Sequence, residues 1–409
     1  MPISHKHKLI FIHIAKNAGT SLENAFEMES PGHKTWRYYK QNYRNEWSSY
    51  KKIAVVRNPF ERFVSNYCYA IMDKSYHHSK DGNAKHGKHP DYDSCKNINI
   101  NHLVDLLFSG KVFLNHQGWQ TQAEYITDNQ EIVVDELVQI ENVSEWAKNN
   151  YNVDMAIINK SDNHFYLDIL NLDSILKLRT MYDSDFRLYY SAVKNFDSIK
   201  ILKNNSVYRF SDLFYKKGIR WKEDRNIILS DNQYDNSILK IYLQTYKEEN
   251  DIQLLNEIVR KKSADDKLKT PQKDELVIHL RLGDVMDNYS NDSGFRHFNN
   301  NIAHYYNIYK LLKPSSPEQS IKKITVVTAM HFGANDKNGL YFFSENARLK
   351  SIEIADMVTK LLKQCYNVEP TILSNEDFDL DFNYMVHANR FIKGLSQVSD
   401  LIQKCRTLN

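Results

Sequence analysis

Lys16, Thr20 and Ser21 lie in the run Ala15-Lys16-Asn17-Ala18-Gly19-Thr20-Ser21, whose mixture of one cation, small residues and hydroxyls suits an anion. Small residues between a strand and a helix free backbone N–H groups to cradle a phosphate. Lys16 adds a mobile positive charge, and Thr20 and Ser21 add donors. Lysine precedes the glycine, so this is not the nucleotide P-loop order. Alone, the turn reads equally well as a capped helix after a surface lysine. A second turn lies about forty residues on, where Arg57 closes an apolar run before Asn58-Pro59 and Ser65 follows eight residues later. An arginine at a strand end can grip a phosphate through two N–H groups, and Ser65 can donate to the same group. Two such turns in one α/β unit are far more specific than either.

The elements that must carry these residues are legible from apolar periodicity. Residues 9–14 (LIFIHI) read as a buried parallel strand, and Leu22, Ala25 and Phe26 begin a helix after the first turn. Residues 52–57 read as a second strand that Asn58-Pro59 breaks, and Phe60, Phe63, Val64, Tyr67 and Cys68 then recur at helical spacing. Strand, polar loop and helix thus repeat, which is the grammar of an α/β fold. Helices are expected near 101–109, 115–125, 143–149 and 172–182, with a strand inside 132–140. Residues 195–212 lose periodicity, which sets a boundary near 198 and domains of 1–198 and 199–409. Beyond it come a helix-rich stretch at 235–262, a polar stretch at 263–275, strands at 276–280 and 321–328, and an amphipathic helix at 351–364.

The length of 409 residues suits about two domains. A hydrophobic content of 42% with 26% charge excludes wholesale disorder. The net charge of +3 argues against a general nucleic-acid binder. Cys68, Cys95, Cys365 and Cys405 form no CxxC pair, so free thiols in a reducing compartment are expected. His77, His78, Lys80, Lys85, His86, Lys88 and His89 crowd residues 73–100, but irregular spacing without supporting carboxylates reads as a solvated loop rather than a metal site. The first apolar run is six residues long and contains a histidine, too short for a signal sequence, and no apolar stretch suits a membrane span. A soluble, cytoplasmic protein is expected.

Residues 9–26 and 52–70 resemble the paired nucleotide-binding motifs of sulfotransferases, in particular the carbohydrate-type branch. The resemblance continues through Trp119-Gln120-Thr121-Gln122, Val134-Asp135, Ile140-Glu141-Asn142, Asn159-Lys160-Ser161, Tyr182 to Phe186 and Tyr189-Tyr190. It covers about residues 8–192 and implies a P-loop-like parallel-sheet domain using 3′-phosphoadenosine-5′-phosphosulfate. Lys16, Asn17, Ala18, Gly19, Thr20 and Ser21 then resemble the loop for the 5′-phosphosulfate, with Lys16 bridging the leaving oxygen and the sulfuryl group. Arg57 and Ser65 resemble the 3′-phosphate pair. Ala15 stands where proline is common and Ala18 where glycine or another small residue is usual. Sulfuryl transfer is an in-line displacement that asks for positioning and positive charge, with no metal required. The acceptor, implied to be a saccharide, needs a base for its hydroxyl, and histidine suits neutral pH. His33 is the first choice, from its place between the two motifs. His116 is second, as base or acceptor ligand, and Glu23 is weaker; His13 is expected in the core and Glu141 in a structural role.

His279-Leu280-Arg281-Leu282-Gly283-Asp284 delivers another arginine at a strand end beside a glycine turn. It resembles the H-x-R-R-G-D motif of α-1,2- and α-1,6-type fucosyltransferases, with looser echoes at Tyr305-Tyr306, Asp377, Asp379, Asp381, Tyr384-Met385 and Leu395 to Ser399. The resemblance implies a Rossmann-like, GT-B-like domain using GDP-fucose, with His279, Arg281, Gly283, Asp284 and Ser396 at the donor. Leu282 replaces the second arginine, and the stretch before His279 is short for a full acceptor lobe, so the domain is either compact and active or incomplete. Rival readings are a nucleotide or small-molecule kinase-like protein, which the lysine-before-glycine order opposes, a module that binds nucleotides or glycans without turnover, and a glycosyltransferase with a degenerate sulfotransferase domain.

Overall fold

The computed structural model describes residues 3–29, 32–73, 88–156, 165–192, 267–287, 293–312, 321–328, 333–335, 341–375 and 378–407, with isolated positions between 253 and 264. The chain divides into two units, Met1–Lys194 and Asn195–Asn409.

The first unit is built on strands β1 (Ile3–Ser4), β2 (Leu9–Ile12), β3 (Lys51–Val56) and β4 (Glu136–Gln139), side by side in that order. β1 runs antiparallel at the edge and the other pairs are parallel, with Ile12 opposite Ala54 and Val56 opposite Gln139. β2 and β3 therefore end at the same edge, and the segments that begin at His13 and Arg57 leave side by side. Alternate residues Leu9, Phe11, Ile53, Val55 and Val138 pack with Leu22 of helix α1 (Gly19–Ala25), with Phe26 just beyond its end, and with Val143, Trp146 and Ala147 of helix α3 (Val143–Tyr151). The intervening Ile10, Ile12, Ala54 and Val56 are also fully buried. That is why these strands read as unbroken apolar runs, as expected for a parallel sheet covered on both faces. Helix α2 (Pro59–Ala70) starts where proline is tolerated, with the Asn58 side chain accepting the Phe60 N–H at 3.0 Å.

Three boundaries differ from expectation for local reasons. The first long strand stops at Ile12, so His13 and Ile14 belong to the site edge. The helix expected over 115–125 is a 3₁₀ turn at Gln117–Trp119 and a separate helix at Gln122–Ile126, because Thr121 turns to cap the second piece by accepting the Glu124 N–H at 3.3 Å. Within 132–140 only Glu136–Gln139 joins the main sheet, since Glu131–Ile132 pairs with Thr127–Asp128 as a hairpin.

In the second unit β5 (Glu275–Leu280), β6 (Lys323–Thr328), β7 (Thr371–Leu373) and β8 (Arg390–Ile392) form one parallel sheet in the order β7-β6-β5-β8. The chain builds outward from β5 to β7 and then returns to place β8 on the other side of β5. Such a reversal opens a crevice at the carboxyl ends of β5 and β8. Helices α4 (Ser293–Leu312), α5 (Glu345–Tyr366), α6 (Phe378–Val386) and α7 (Gln397–Thr407) accompany the sheet, with a small antiparallel pair of Gly333–Asn335 and Tyr341–Phe343. α5 is longer than its apolar periodicity implied, because Ser344 caps a polar first turn by accepting the Ala347 N–H at 3.0 Å. The amino end of β5 is pinned by Glu275, fully buried, which accepts hydrogen bonds from Thr325, Tyr384 and Lys323 at 2.5, 2.6 and 2.9 Å. This sheet is the only parallel one seen among the described residues of the unit. The sequence stretches 195–212 and 235–262 lie outside the described residues, apart from isolated positions in the latter.

All four cysteines are free thiols. Among the described residues no helix is long and apolar enough to cross a membrane, and no group of three or more His, Cys, Asp or Glu is placed to hold a metal ion.

Candidate active site

The first turn after β2 holds two non-glycine residues in the left-handed region, Lys16 at φ 69° and Ala18 at φ 56°. An L-residue there costs about 1–2 kcal/mol, and such turns direct successive N–H groups into an anion-binding concavity. The conformation explains why glycine suits position 18 in the resembling family. Gly19 begins α1 for a different reason. A Cβ there would lie 1.9 Å from His13 Nε2, so only glycine fits without moving that ring.

Buried amides fix the turn. Asn17 is fully buried and donates through Nδ2 to the Val55 carbonyl at 2.7 Å and to Gln122 Oε1 at 2.6 Å. Gln122, also fully buried, accepts the Arg57 N–H at 2.9 Å and donates to the Arg57 carbonyl at 2.9 Å. One side chain thus clasps both turns. Arg57 adds Nη1 to the Lys16 carbonyl at 3.3 Å, with Glu61 3.5 Å from its Nε. Beneath them Arg62, 2% exposed, donates to the carbonyls of Ala15 at 3.1 Å and Gln120 at 2.8 Å. Its charge faces Asp185 at 3.9 Å. Burial pushes the Asp185 carboxyl up to about 6, and Arg62 opposes that shift.

The Lys16 ammonium stands 4.3 Å from the centre of the Tyr69 ring. Burial first, and the Arg57 charge second, lower it to about 8. From Tyr69 an arc of rings runs to His89 at 5.4 Å, His116 at 4.5 Å, His33 at 6.4 Å and His13 at 4.4 Å between successive centroids. The arc ends where His13 packs on Gly19, so it starts and finishes on the turn that carries Lys16 and Gly19. Two buried carboxylates bracket it. Glu23 receives His13 Nδ1 at 2.8 Å, and Asp91 accepts the backbone N–H groups of Asn115 and His116 at 2.7 and 3.0 Å and Trp119 Nε1 at 3.0 Å. Burial, followed by the nearby His13, lowers the His33 imidazole to about 3, so the ring is neutral at physiological pH.

Lys16, Asn17, Ala18, Gly19, Thr20, Ser21 and Arg57 are therefore brought together, and His33 and His116 close over them. The Asn17 amide is spent on the Val55 carbonyl and the Gln122 side chain, so it holds the turn in place. Ser65 is buried on α2, about two turns beyond Arg57. His13 is buried as expected, yet it supports the site instead of a distant core. Glu23 is its partner, and Glu141 accepts the Tyr189 hydroxyl at 2.8 Å, a structural bond. The reading of 73–100 as a solvated loop fails at its end. His89 is 3% exposed and accepts the Asp91 N–H at 3.1 Å, because the buried Asp91 folds the segment inward. Lys88 lies over Tyr92, while residues 74–87 lie outside the described residues. Gln122, Arg62, Tyr69, Asp91 and Asp185 were not singled out for roles in the sequence; the run Trp119-Gln120-Thr121-Gln122 was the one signal pointing to Gln122.

In the second unit His279 is buried at the end of β5 with Nδ1 on the Ser399 hydroxyl, and burial lowers its imidazole to about 3. Arg281 is half-buried, and its Nη1 donates to the Leu282 carbonyl at 3.3 Å. Gly283, at φ 88°, needs the freedom of glycine and donates its N–H to Ser351 Oγ at 3.0 Å. Leu282 is fully buried, so a second arginine at that position would have to enter the core. Asp284 lies on the 3₁₀ turn Gly283–Asp287. Ser396 accepts the Ser399 N–H at 3.1 Å, a cap for α7. Asp381 likewise holds Asn375 at 2.6 Å, a structural bond, while Asp377 lies outside the described residues.

Residues 1–191 match the family described as the sulfotransferase family. The match supports a sulfotransferase-family domain in the first unit, with sulfuryl transfer in general, and such a domain implies a nucleotide-sulfate donor and an acceptor. No curated protein and no solved structure matches the chain.

Proposed function

We propose that the first unit transfers a sulfuryl group from 3′-phosphoadenosine-5′-phosphosulfate to a saccharide hydroxyl. The observation that carries this reading is the clasp of the two anion-binding turns by Gln122, which sets Lys16 and Arg57 beside one another at the ends of parallel strands. The residues present fit a nucleotide with two separate anionic groups. The left-handed turn with Lys16 suits the phosphosulfate end, and Arg57 with Ser65 suits the 3′-phosphate. The bound donor supplies the sulfuryl group. Lys16 balances charge at the leaving oxygen, and Arg57 anchors the nucleotide. His33 Nδ1 donates to the His13 carbonyl at 3.3 Å, which leaves Nε2 as its lone-pair nitrogen and able to take the hydroxyl proton.

Calorimetry on the full chain tests the donor class. Adenosine 3′,5′-bisphosphate should bind about a hundredfold more tightly than 5′-AMP, from two charge-assisted hydrogen bonds. Arg57→Ala should erase that preference. Equal affinity for the two nucleotides in the wild type would refute the reading.

For the second unit the crevice between β5 and β8 favours a further proposal, transfer of fucose from GDP-fucose to the same glycan. Arg281 and Gly283 follow the carboxyl end of β5, which His279 precedes within the strand. GDP binding that Arg281→Ala abolishes would support it, and no GDP binding would remove it.

A further inference from the structure

The two histidines that face each other in the arc differ in which ring nitrogen carries the proton. A backbone carbonyl can only accept, so His33 holds its proton on Nδ1, toward the His13 carbonyl at 3.3 Å. A backbone N–H can only donate, so His116, whose Nδ1 receives the Gly118 N–H at 3.1 Å, has its lone pair there and its proton on Nε2. These tautomers follow from the partners each ring has been given. The geometry points to His116 as a hydrogen-bond donor to the transferring sulfuryl group, held in that role by Asp91, opposite a His33 that receives the acceptor proton. The inference rests on the sulfuryl-transfer reading and adds to it a division of labour between two residues of one type.

Asp91 is a positioning residue. It is 1% exposed and grips the 115–119 turn at three points, the N–H groups of Asn115 and His116 and the Trp119 indole. Asn66 adds a fourth tie, donating to the Gly118 carbonyl at 2.5 Å. A Cβ on Gly118 would lie 2.8 Å from His116 Nδ1, so the glycine lets its N–H come close enough to set the tautomer. None of these ties from Asp91 goes to the His116 ring. A carboxylate on Nδ1 would have forced the opposite tautomer, and Asp91 avoids that by holding backbone.

The arc places His116 between His89, which packs toward the Tyr69 ring beneath Lys16, and His33. A group held by Lys16 and attacked from the His33 side therefore passes before His116. In the transfer the bond from the acceptor oxygen to sulfur forms as the bond from sulfur to the nucleotide phosphate oxygen breaks. The hydroxyl proton goes to His33 Nε2, and His116 keeps its own. A neutral donor suits the sulfuryl oxygens, because it binds their charge without offering a competing proton.

The test is nitrogen-15 NMR of the full chain with labelled histidine, with signals assigned through His33→Gln and His116→Phe. The expected result is a proton on Nε2 of His116 and on Nδ1 of His33 in the ligand-free protein. Inorganic sulfate, added to protein saturated with adenosine 3′,5′-bisphosphate, serves as the sulfuryl probe and should shift the His116 Nε2 signal. In His116→Phe the sulfate affinity should fall about 10- to 100-fold, with bisphosphate affinity unchanged. Asp91→Asn keeps one acceptor oxygen and loses the other. It should disturb the His116 tautomer and weaken sulfate in parallel, which a purely structural aspartate would not do. A His116 ring protonated on Nδ1, or sulfate affinity indifferent to both variants, overturns the proposal while leaving the donor class intact. Failure of the bisphosphate to bind would remove the proposed function itself, and this inference with it.

Discussion

Lys16→Ala lowers kcat by about 10³-fold or more, the scale on which a single cation over a transferring group acts in phosphoryl transfer. The reason is geometric. The ammonium rests on the Tyr69 ring at the open side of the left-handed turn, and Arg57, the nearest other cation, is tied to the Lys16 carbonyl and to Glu61. Among the described residues no other cation stands over the Tyr69 ring. Nucleotide binding falls much less, because the backbone N–H groups and Arg57 remain. The same lysine sets an alkaline limit. Burial and the Arg57 charge hold its ammonium at about 8, so the charged form is present below that pH and lost as the pH rises through it. Turnover should therefore decline above about pH 8, and Lys16→Arg, which stays charged, should flatten the decline while restoring part of the rate. Steady-state rates with radiolabelled donor across pH decide the matter. Wild-type kcat in the alanine variant would show that Lys16 lies off the reaction path.

The second large effect belongs to His33. His33→Ala should lower kcat by about 10²- to 10⁴-fold, the usual contribution of a positioned general base. Adenosine 3′,5′-bisphosphate should still bind within about a factor of two, because the described contacts of His33 toward the turns run through His13, at its carbonyl and its ring, and none is a hydrogen bond to either turn. Burial and its neighbours His13, His116 and Arg62 hold the imidazole at about 3 in the free protein, so the ring accepts protons at every pH above that value. The acid limb of kcat/KM should accordingly lie well below neutrality. Full turnover in His33→Ala, together with loss in His116→Phe, would assign the base to the other histidine.

The frame of the first unit was open to a reader of residues, because β2 and the Ile53–Val56 part of β3 are buried and announce themselves as apolar runs. The turn at 15–21 and Arg57 carry small and charged residues at positions where nothing else explains them. The support behind the turns was hidden. Gln122 and Arg62 are polar residues whose partners lie far along the chain, and a lone glutamine has no periodicity to betray it. His89 was misread for a related reason. Its segment is rich in charge, and the burial comes from one aspartate, Asp91, that reaches three donors up to 28 residues away. His13 illustrates a subtler limit: burial was legible, but that the ring would close against Gly19 and carry His33 on its carbonyl depends on where β2 stops. In the second unit the cap that Ser396 makes for the Ser399 N–H is a local bond that its motif did not announce.

The Gln122 clasp has a consequence for the order in which the site comes into being. Both anion-binding turns have been synthesised once the chain reaches Ser65, yet the side chain that joins Asn17 to Arg57 is 105 residues beyond the first and 65 beyond the second. At ribosomal rates of about 5–20 residues per second, the 57 residues from Ser65 to Gln122 take roughly 3–11 s. During that interval the nascent chain carries both halves of the nucleotide pocket without the bolt between them. On the proposed function, Gln122, and soon after it β4, must have left the exit tunnel before a donor nucleotide could act as a folding ligand across both turns.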